Sequence, residues 1–136
     1  MFSKTVVAFG LLSVLTAGCS NGSSPLQPGS VSPFLGMWFN EDPATRSITR
    51  VQIVRATSNL VVRMWGACVP EDCDWGTLIA AASSANDGVL ELTWNHGFVV
   101  STQMLRVLSN GRLRVETFDD FLDGRPDQTT VDFFFK

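Results

Sequence analysis

The chain has one histidine in 136 residues, three cysteines, and only 10 lysines and arginines together. Each scarcity closes off a class of function. The single histidine, His96, stands beside Gly97 in a turn signal where exposure is expected, so imidazole catalysis has one poorly placed candidate. No serine lies in a G-x-S-x-G elbow, and neither a Gly-rich phosphate loop nor a dinucleotide fingerprint is present. No enzymatic activity and no cofactor are therefore expected. The basic residues are scattered, which leaves no electrostatic footprint for nucleic acid and no polybasic patch for anionic lipid. The one long apolar run lies within the first eighteen residues, and it is shorter than the about 20 residues a membrane-spanning helix needs.

What is present begins with a targeting segment over residues 1–18. Lys4 supplies a positive start, Val6 to Leu15 is apolar apart from Gly10 and Ser13, and small residues lead to Cys19. Leu15-Thr16-Ala17-Gly18-Cys19 resembles the lipobox of bacterial lipoproteins, with Thr16 standing where that family usually carries Leu. The resemblance implies cleavage after residue 18 and a lipid on Cys19. Because Ser20 rather than Asp follows, it also favours the outer membrane if the cell is Gram-negative. The alternative is an ordinary secretory signal cleaved nearby. Loss of residues 1–18 removes one lysine and no acid, taking the net charge from -3 to -4, so membrane attachment is expected through the acyl chains alone. With Cys19 lipidated, Cys68 and Cys73 remain for a disulfide in an oxidising compartment. Closing so small a loop is worth about 2 kcal/mol in the chain-entropy picture.

Residues 19–33 read as the lipidated cysteine and a tether rich in Ser, Gly and Pro, too poor in apolar side chains to offset the entropy of ordering it. As a flexible coil the tether spans roughly 20 Å, which lets the domain over residues 34–136 hover near the membrane.

In that domain no twelve-residue stretch keeps an apolar stripe at helical spacing. Eight runs rich in Val, Ile, Thr, Trp and Phe are expected as strands instead: 36–40, 47–56, 60–68, 74–82, 89–95, 98–107, 112–118 and 129–135. Turn signals separate several of them, among them Thr57-Ser58-Asn59, Asn86-Asp87-Gly88, Asn95-His96-Gly97 and Ser109-Asn110-Gly111. Alternation puts Leu90, Leu92 and Trp94 on one face of the fifth strand and Leu113, Val115 and Thr117 on one face of the seventh. On the last strand Val131, Phe133 and Phe135 are expected on the buried side. The expectation is an all-β fold: one antiparallel up-and-down meander closing into a small barrel. A two-sheet sandwich is the alternative.

Gly36-Met37-Trp38, flanked by Phe34-Leu35 and Phe39-Asn40, resembles the G-x-W signature on the first strand of calycins, the superfamily of lipocalins, fatty-acid-binding proteins and avidins. That resemblance implies a calycin-like barrel whose floor is closed by Trp38, with an arginine packed over the ring. The last strand carries no arginine, so Arg112, Arg114 or Arg125 would have to serve.

The segment Trp65-Gly66-Ala67-Cys68-Val69-Pro70-Glu71-Asp72-Cys73-Asp74-Trp75-Gly76 is nearly symmetric and resembles a pattern in small exported bacterial proteins that implies no activity. Physically it reads as a hairpin stapled by Cys68 and Cys73, with a tryptophan on each arm and Glu71, Asp72 and Asp74 crowding the tip. Two cysteines cannot complete a zinc site, His96 is distant in sequence, and three adjacent acids poorly encircle calcium, so no metal is expected. A second acidic stretch, Asp119 to Asp127, fails the EF-hand pattern at Phe121 and reads as a long polar loop in which Phe121 and Leu122 could cap a barrel mouth or touch a partner.

Two functional readings follow. In the first, the domain is a membrane-tethered, non-enzymatic binding module holding a small apolar or amphipathic ligand, with Val62, Met64, Leu92, Trp94 and Phe133 lining the barrel unless side chains fill it. In the second it is a protein-interaction module. It is similar in architecture to small periplasmic lipoproteins that inhibit bacterial proteases, in which an N-terminal trunk, here Ser30 to Leu35, enters the enzyme cleft. A purely structural envelope role is a further possibility.

Overall fold

The computed structural model describes residues 30–85 and 87–136. The expected signal segment, Cys19, most of the tether, and Asn86 of one turn signal lie outside the described residues. Eight strands follow in order: β1 Gly36–Asn40, β2 Ile48–Ala56, β3 Asn59–Gly66, β4 Cys73–Ala81, β5 Leu90–Asn95, β6 Val99–Val107, β7 Leu113–Phe121 and β8 Gln128–Phe135. Two 3-10 turns, Ser32–Phe34 and Ala82–Ala85, precede β1 and β5. All ladders are antiparallel, in the order β4-β3-β2-β1-β8-β7-β6-β5. The fold is therefore a single all-β meander, nearly closed into a barrel, rather than a sandwich. First and last strands meet through a short ladder, Phe39↔Phe135 and Asn40↔Phe134. The seam left without a ladder lies between β4 and β5, bridged at one end by the Ala82–Ala85 turn.

Local chemistry explains the turns. In the β5–β6 turn, Gly97 adopts a φ of +85° that a side chain would resist, and its N–H is held by Asn95 Oδ1 at 2.9 Å. Asn110 Oδ1 does the same for Arg112 N in the β6–β7 turn, at 3.1 Å.

Register decides which face each strand buries, and it corrects one expectation. Phe134 is 0% exposed, whereas Phe133 is 37% exposed and Val131 and Phe135 also face outward. With three consecutive phenylalanines, alternation alone allows either face. Phe134 lies directly opposite Leu113, a fully buried residue, and opposed residues share a face, so Phe134 points in and Phe133 out. Phe133 thus does not line the interior.

The acidic stretch is a second correction, since β7 runs to Phe121 instead of ending at 118. Val99, Val100 and Ser101 of β6 pair with Phe121, Asp120 and Asp119, which satisfies backbone groups that a loop would leave open.

The floor is closed by Trp38, fully buried, whose Nε1 donates to Phe34 O at 2.8 Å. Val31 and Phe34 pack beneath it in the core. The cation over Trp38 is Lys136, with Nζ 4.3 Å from the ring centroid and donating to Pro33 O at 3.0 Å. The arginines expected there are engaged elsewhere: Arg112 with Glu41 at 2.7 Å, Arg114 with Glu116 at 2.8 Å, and Arg125 with Asp123 at 2.7 Å. Lys136 succeeds because it directly follows β8, the strand that pairs with β1 beside Trp38. Desolvation there holds its ammonium below the ordinary lysine pKa.

Candidate functional site

The inward rows of the last strands change character along the barrel axis. Near the floor they read Leu90 and Leu92 on β5, Leu105 on β6, Leu113 and Val115 on β7, and Phe134 on β8, all buried. Toward the other end the same rows continue as Trp94, then Gln103 and Ser101, then Thr117 and Asp119, then Asp132 and Thr130. Val62 and Met64 of β3, with Leu92 and Trp94, belong to the continuous core around Trp38 and Phe134. The polar residues form a connected chain: Trp94 Nε1 donates to Gln103 Oε1 at 2.9 Å, and Gln103 Nε2 donates to Thr117 Oγ1 at 3.3 Å. The buried Ser101 hydroxyl donates to Asp119 Oδ1. These hydrogen bonds let Gln103, Ser101 and Thr117 be buried, and Ser101, Thr117, Asp119 and Thr130 border the openings that make this end a mouth.

At this mouth a bulge aims Trp75. Met64 pairs with Gly76 and Trp65 with Asp74, so Trp75 is the extra residue on β4. The two tryptophans of the nearly symmetric segment consequently part company. Trp65 lies on the outer surface with the Arg50 and Arg63 guanidiniums 4.7 and 4.9 Å from its ring centroid. Trp75 turns to the mouth and packs so closely on Gly66 that a Cβ there would stand 2.5 Å from its Nε1. Its ring meets Trp94 edge-on at 6.0 Å and His96 at 4.9 Å. His96 is parallel to Trp94 at 6.3 Å, half-buried rather than exposed, and its shielded Nε2 has no hydrogen-bond partner among the described residues. The tight β5–β6 turn, closed by His96 N–H to Val99 O at 3.0 Å, brings the ring back over the mouth.

Between the stapled loop and the β5–β6 turn lies a cleft of about 420 Å³. Trp75, Phe98, Val99, Phe121 and the cysteine pair make its apolar walls, and His96, Ser101, Asp119 and Asp74 supply its polar groups. A polar recess of about 160 Å³ adjoins it, lined by Thr117, Gln128, Thr130 and Arg46, and it shares Trp75 and Asp119 with the cleft. The cleft is of the size and mixed lining that small-molecule sites have. Cys68 and Cys73 sit at bonding distance, with Cα atoms 5.4 Å apart, so the stapled loop forms one fixed wall.

The charges of the acidic tip are mostly answered locally. Asp72 accepts from Thr49 Oγ1 at 2.7 Å and lies 3.5 Å from Arg50 Nε. Asp74 pairs with Arg63 and accepts from Gly76 N–H at 2.8 Å, which holds its carboxyl below the usual aspartate range. Arg125 likewise holds Asp123 low while its guanidinium stands over Phe121 and Phe98, 4.2 and 5.4 Å from their centroids. Among the described residues no group of three or more His, Cys, Asp or Glu side chains is gathered to hold a metal ion, and no helix is long and apolar enough to cross a membrane. The stretch from Ser30 to Leu35, a trunk in one reading, is folded under the floor with Val31 and Phe34 buried.

Sequence reasoning did not single out Ser101, Gln103, Phe98 or Asp119 for a site. The signal was weak: β6 alternates Val99-Ser101-Gln103-Leu105 with Val100-Thr102-Met104-Arg106, and neither row is clearly the apolar one. Comparison with known proteins found no matching family model, no matching curated protein and no matching solved structure.

Proposed function

We propose that this protein is a non-enzymatic binding module of the bacterial envelope, tethered through a lipid on Cys19, that holds a small amphipathic ligand at the mouth of its barrel. The observation that carries the reading is the paired cavity: an aromatic cleft of about 420 Å³ opening beside a polar recess of about 160 Å³, opposite a floor plugged by Trp38. An apolar ligand body would lie against Trp75, Phe98 and Phe121, and its polar end would meet Ser101, Asp119 and Thr117. The non-enzymatic part rests on the side chains themselves. The Ser101 hydroxyl is spent on Asp119, the two cysteines are joined, and among the described residues no nucleophile hydrogen-bonds His96 Nε2.

Native mass spectrometry of the protein purified from the envelope without added ligand tests it. A discrete molecule released on activation from the wild type and missing from Trp75→Ala supports the site, and its mass identifies the ligand. A ligand retained in full by Trp75→Ala, together with one lost from a floor variant, would move the site elsewhere. Attachment is tested by Cys19→Ala, expected to shift the protein from the membrane to the soluble exported fraction.

A protein-interaction role has one specific observation in its favour: Val69, at the tip of the stapled loop, is 97% exposed. Capture of a partner that Val69→Ser abolishes, with the cleft variants unaffected, would favour that role.

A further inference from the structure

We infer that the ligand taken by the mouth cleft is an organic cation, an ammonium or amidinium group carried on an aromatic or short aliphatic body. This rests on the ligand-binding reading above and adds the charge of the ligand to it.

Three observations point the same way. The charged side chains lining the cleft are both acidic, Asp74 and Asp119, and among the described residues no lysine or arginine lines it. The two acids are not equivalent. Asp74 is committed to Arg63 and to the Gly76 N–H, whereas Asp119 accepts from Ser101 through Oδ1 and its second oxygen takes no hydrogen bond from the described residues. Ser101 is itself buried, so its hydroxyl fixes how the carboxylate is turned. A half-buried carboxylate with one oriented oxygen to spare is an acceptor for a charged donor.

The second observation is the nature of the walls. Trp75, Phe98 and Phe121 line the same cleft as Asp119, and aromatic ring faces attract cations. The third is that two of these rings already hold one. Arg125, from the β7–β8 turn, places its guanidinium 4.2 Å from the Phe121 centroid and 5.4 Å from that of Phe98, at the rim. The chain thus demonstrates on its own rings the contact a cationic ligand would make deeper in. Arg46, exposed on the far wall of the recess, is the feature that would favour an anion. It belongs to the recess and not to the aromatic cleft, and it shares the recess with Asp119.

The test uses three probes with one body: 3-phenylpropylammonium, 3-phenylpropan-1-ol and 3-phenylpropionate. They are titrated into the protein as purified from the envelope, with heat and the change in tryptophan emission that Trp75→Ala removes as readouts. The ammonium is expected to bind at least about tenfold tighter than the alcohol, and the carboxylate weakest. Asp119→Asn keeps the side-chain shape and an oxygen for Ser101. It is expected to erase the ammonium's advantage over the alcohol. A carboxylate that binds as well as the ammonium overturns the inference, as does an ammonium advantage that survives Asp119→Asn. If the alcohol binds in a Trp75-dependent way while the ammonium gains nothing, the cation inference fails and the ligand-binding reading stands. If none of the three binds and native spectra are bare, both fall together.

Discussion

Replacing Gly66 by alanine tests how the mouth is built. Gly66 is buried in β3 opposite Cys73, and its φ lies outside the left-handed region, so the substitution raises a question of space alone. The new Cβ would stand 2.5 Å from Trp75 Nε1, 3.1 Å from Cε2 and 3.3 Å from Cζ2. To restore ordinary contact the indole must retreat by about 1 Å. It is half-buried and can swing outward, so the overpacking cost falls at the low end of the usual range, about 1–2 kcal/mol. Retreat also breaks the edge contacts with Trp94 and His96, worth about 0.5–1.5 kcal/mol in such pairs. Alanine recovers about 0.5–1 kcal/mol against glycine through the backbone in a strand. The expected net loss is about 1–2 kcal/mol, read by urea unfolding. It should be accompanied by a changed near-UV dichroism from the Trp75–Trp94 pair and a weaker ligand signal. The decisive form is a double-mutant cycle. In a Trp75→Ala background the clash has no partner, and Gly66→Ala should become neutral or slightly stabilising. Equal cost in both backgrounds, with a coupling energy below about 0.5 kcal/mol, would refute the account of Gly66 as the seat of Trp75.

Other perturbations separate the floor from the mouth. Gln103→Leu strands the buried Trp94 N–H and the Thr117 hydroxyl and is expected to cost about 2–3 kcal/mol, part of it recovered by adding Trp94→Phe; urea unfolding of the single and double variants against wild type decides it. Trp38→Ala should cost about 3–5 kcal/mol by opening the floor while leaving cleft affinity intact in any variant that stays folded, as thermal unfolding and probe titration would show. Asp74 and Asp123 have folded-state pKa values below the ordinary 3.8, so their stabilisation is present above that pH and is lost as pH falls through the lowered values. Asp74→Asn should therefore flatten the acid limb of the stability–pH curve and leave the limb above pH 5 parallel to wild type. Lys136 is also lowered, from 10.5, so the unfolded chain holds that proton more tightly and stability should rise with pH across the interval up to 10.5; in Lys136→Met that rise should be absent.

Much of the architecture was readable because it rests on local periodicity. The inward rows Leu90-Leu92-Trp94 and Leu113-Val115-Thr117 follow from strict alternation, and the turns follow from Asn and Gly whose backbone preferences act within four residues. Where alternation is silent, the buried face is shifted by one residue from the expected one. The run Phe133-Phe134-Phe135 offers apolar side chains to both faces, and only the opposed Leu113 says which one is buried. Likewise Asp119 to Phe121 has the composition of a loop. It is held as strand because β6 stands alongside and needs its hydrogen bonds.

By itself, then, the sequence determined an all-β meander of eight strands, since hydrophobic period and turn chemistry are carried by neighbours along the chain. Only the tertiary structure decided the rest. The seam falls between β4 and β5, the cation over Trp38 is Lys136, and Trp75 faces the mouth while Trp65 faces solvent. His96 and Phe98 meet the cysteine loop across more than twenty residues of chain. The physical reason is common to all of them. Each depends on register, a bulge, or contacts between strands distant in sequence, and a single strand's pattern fixes none of these.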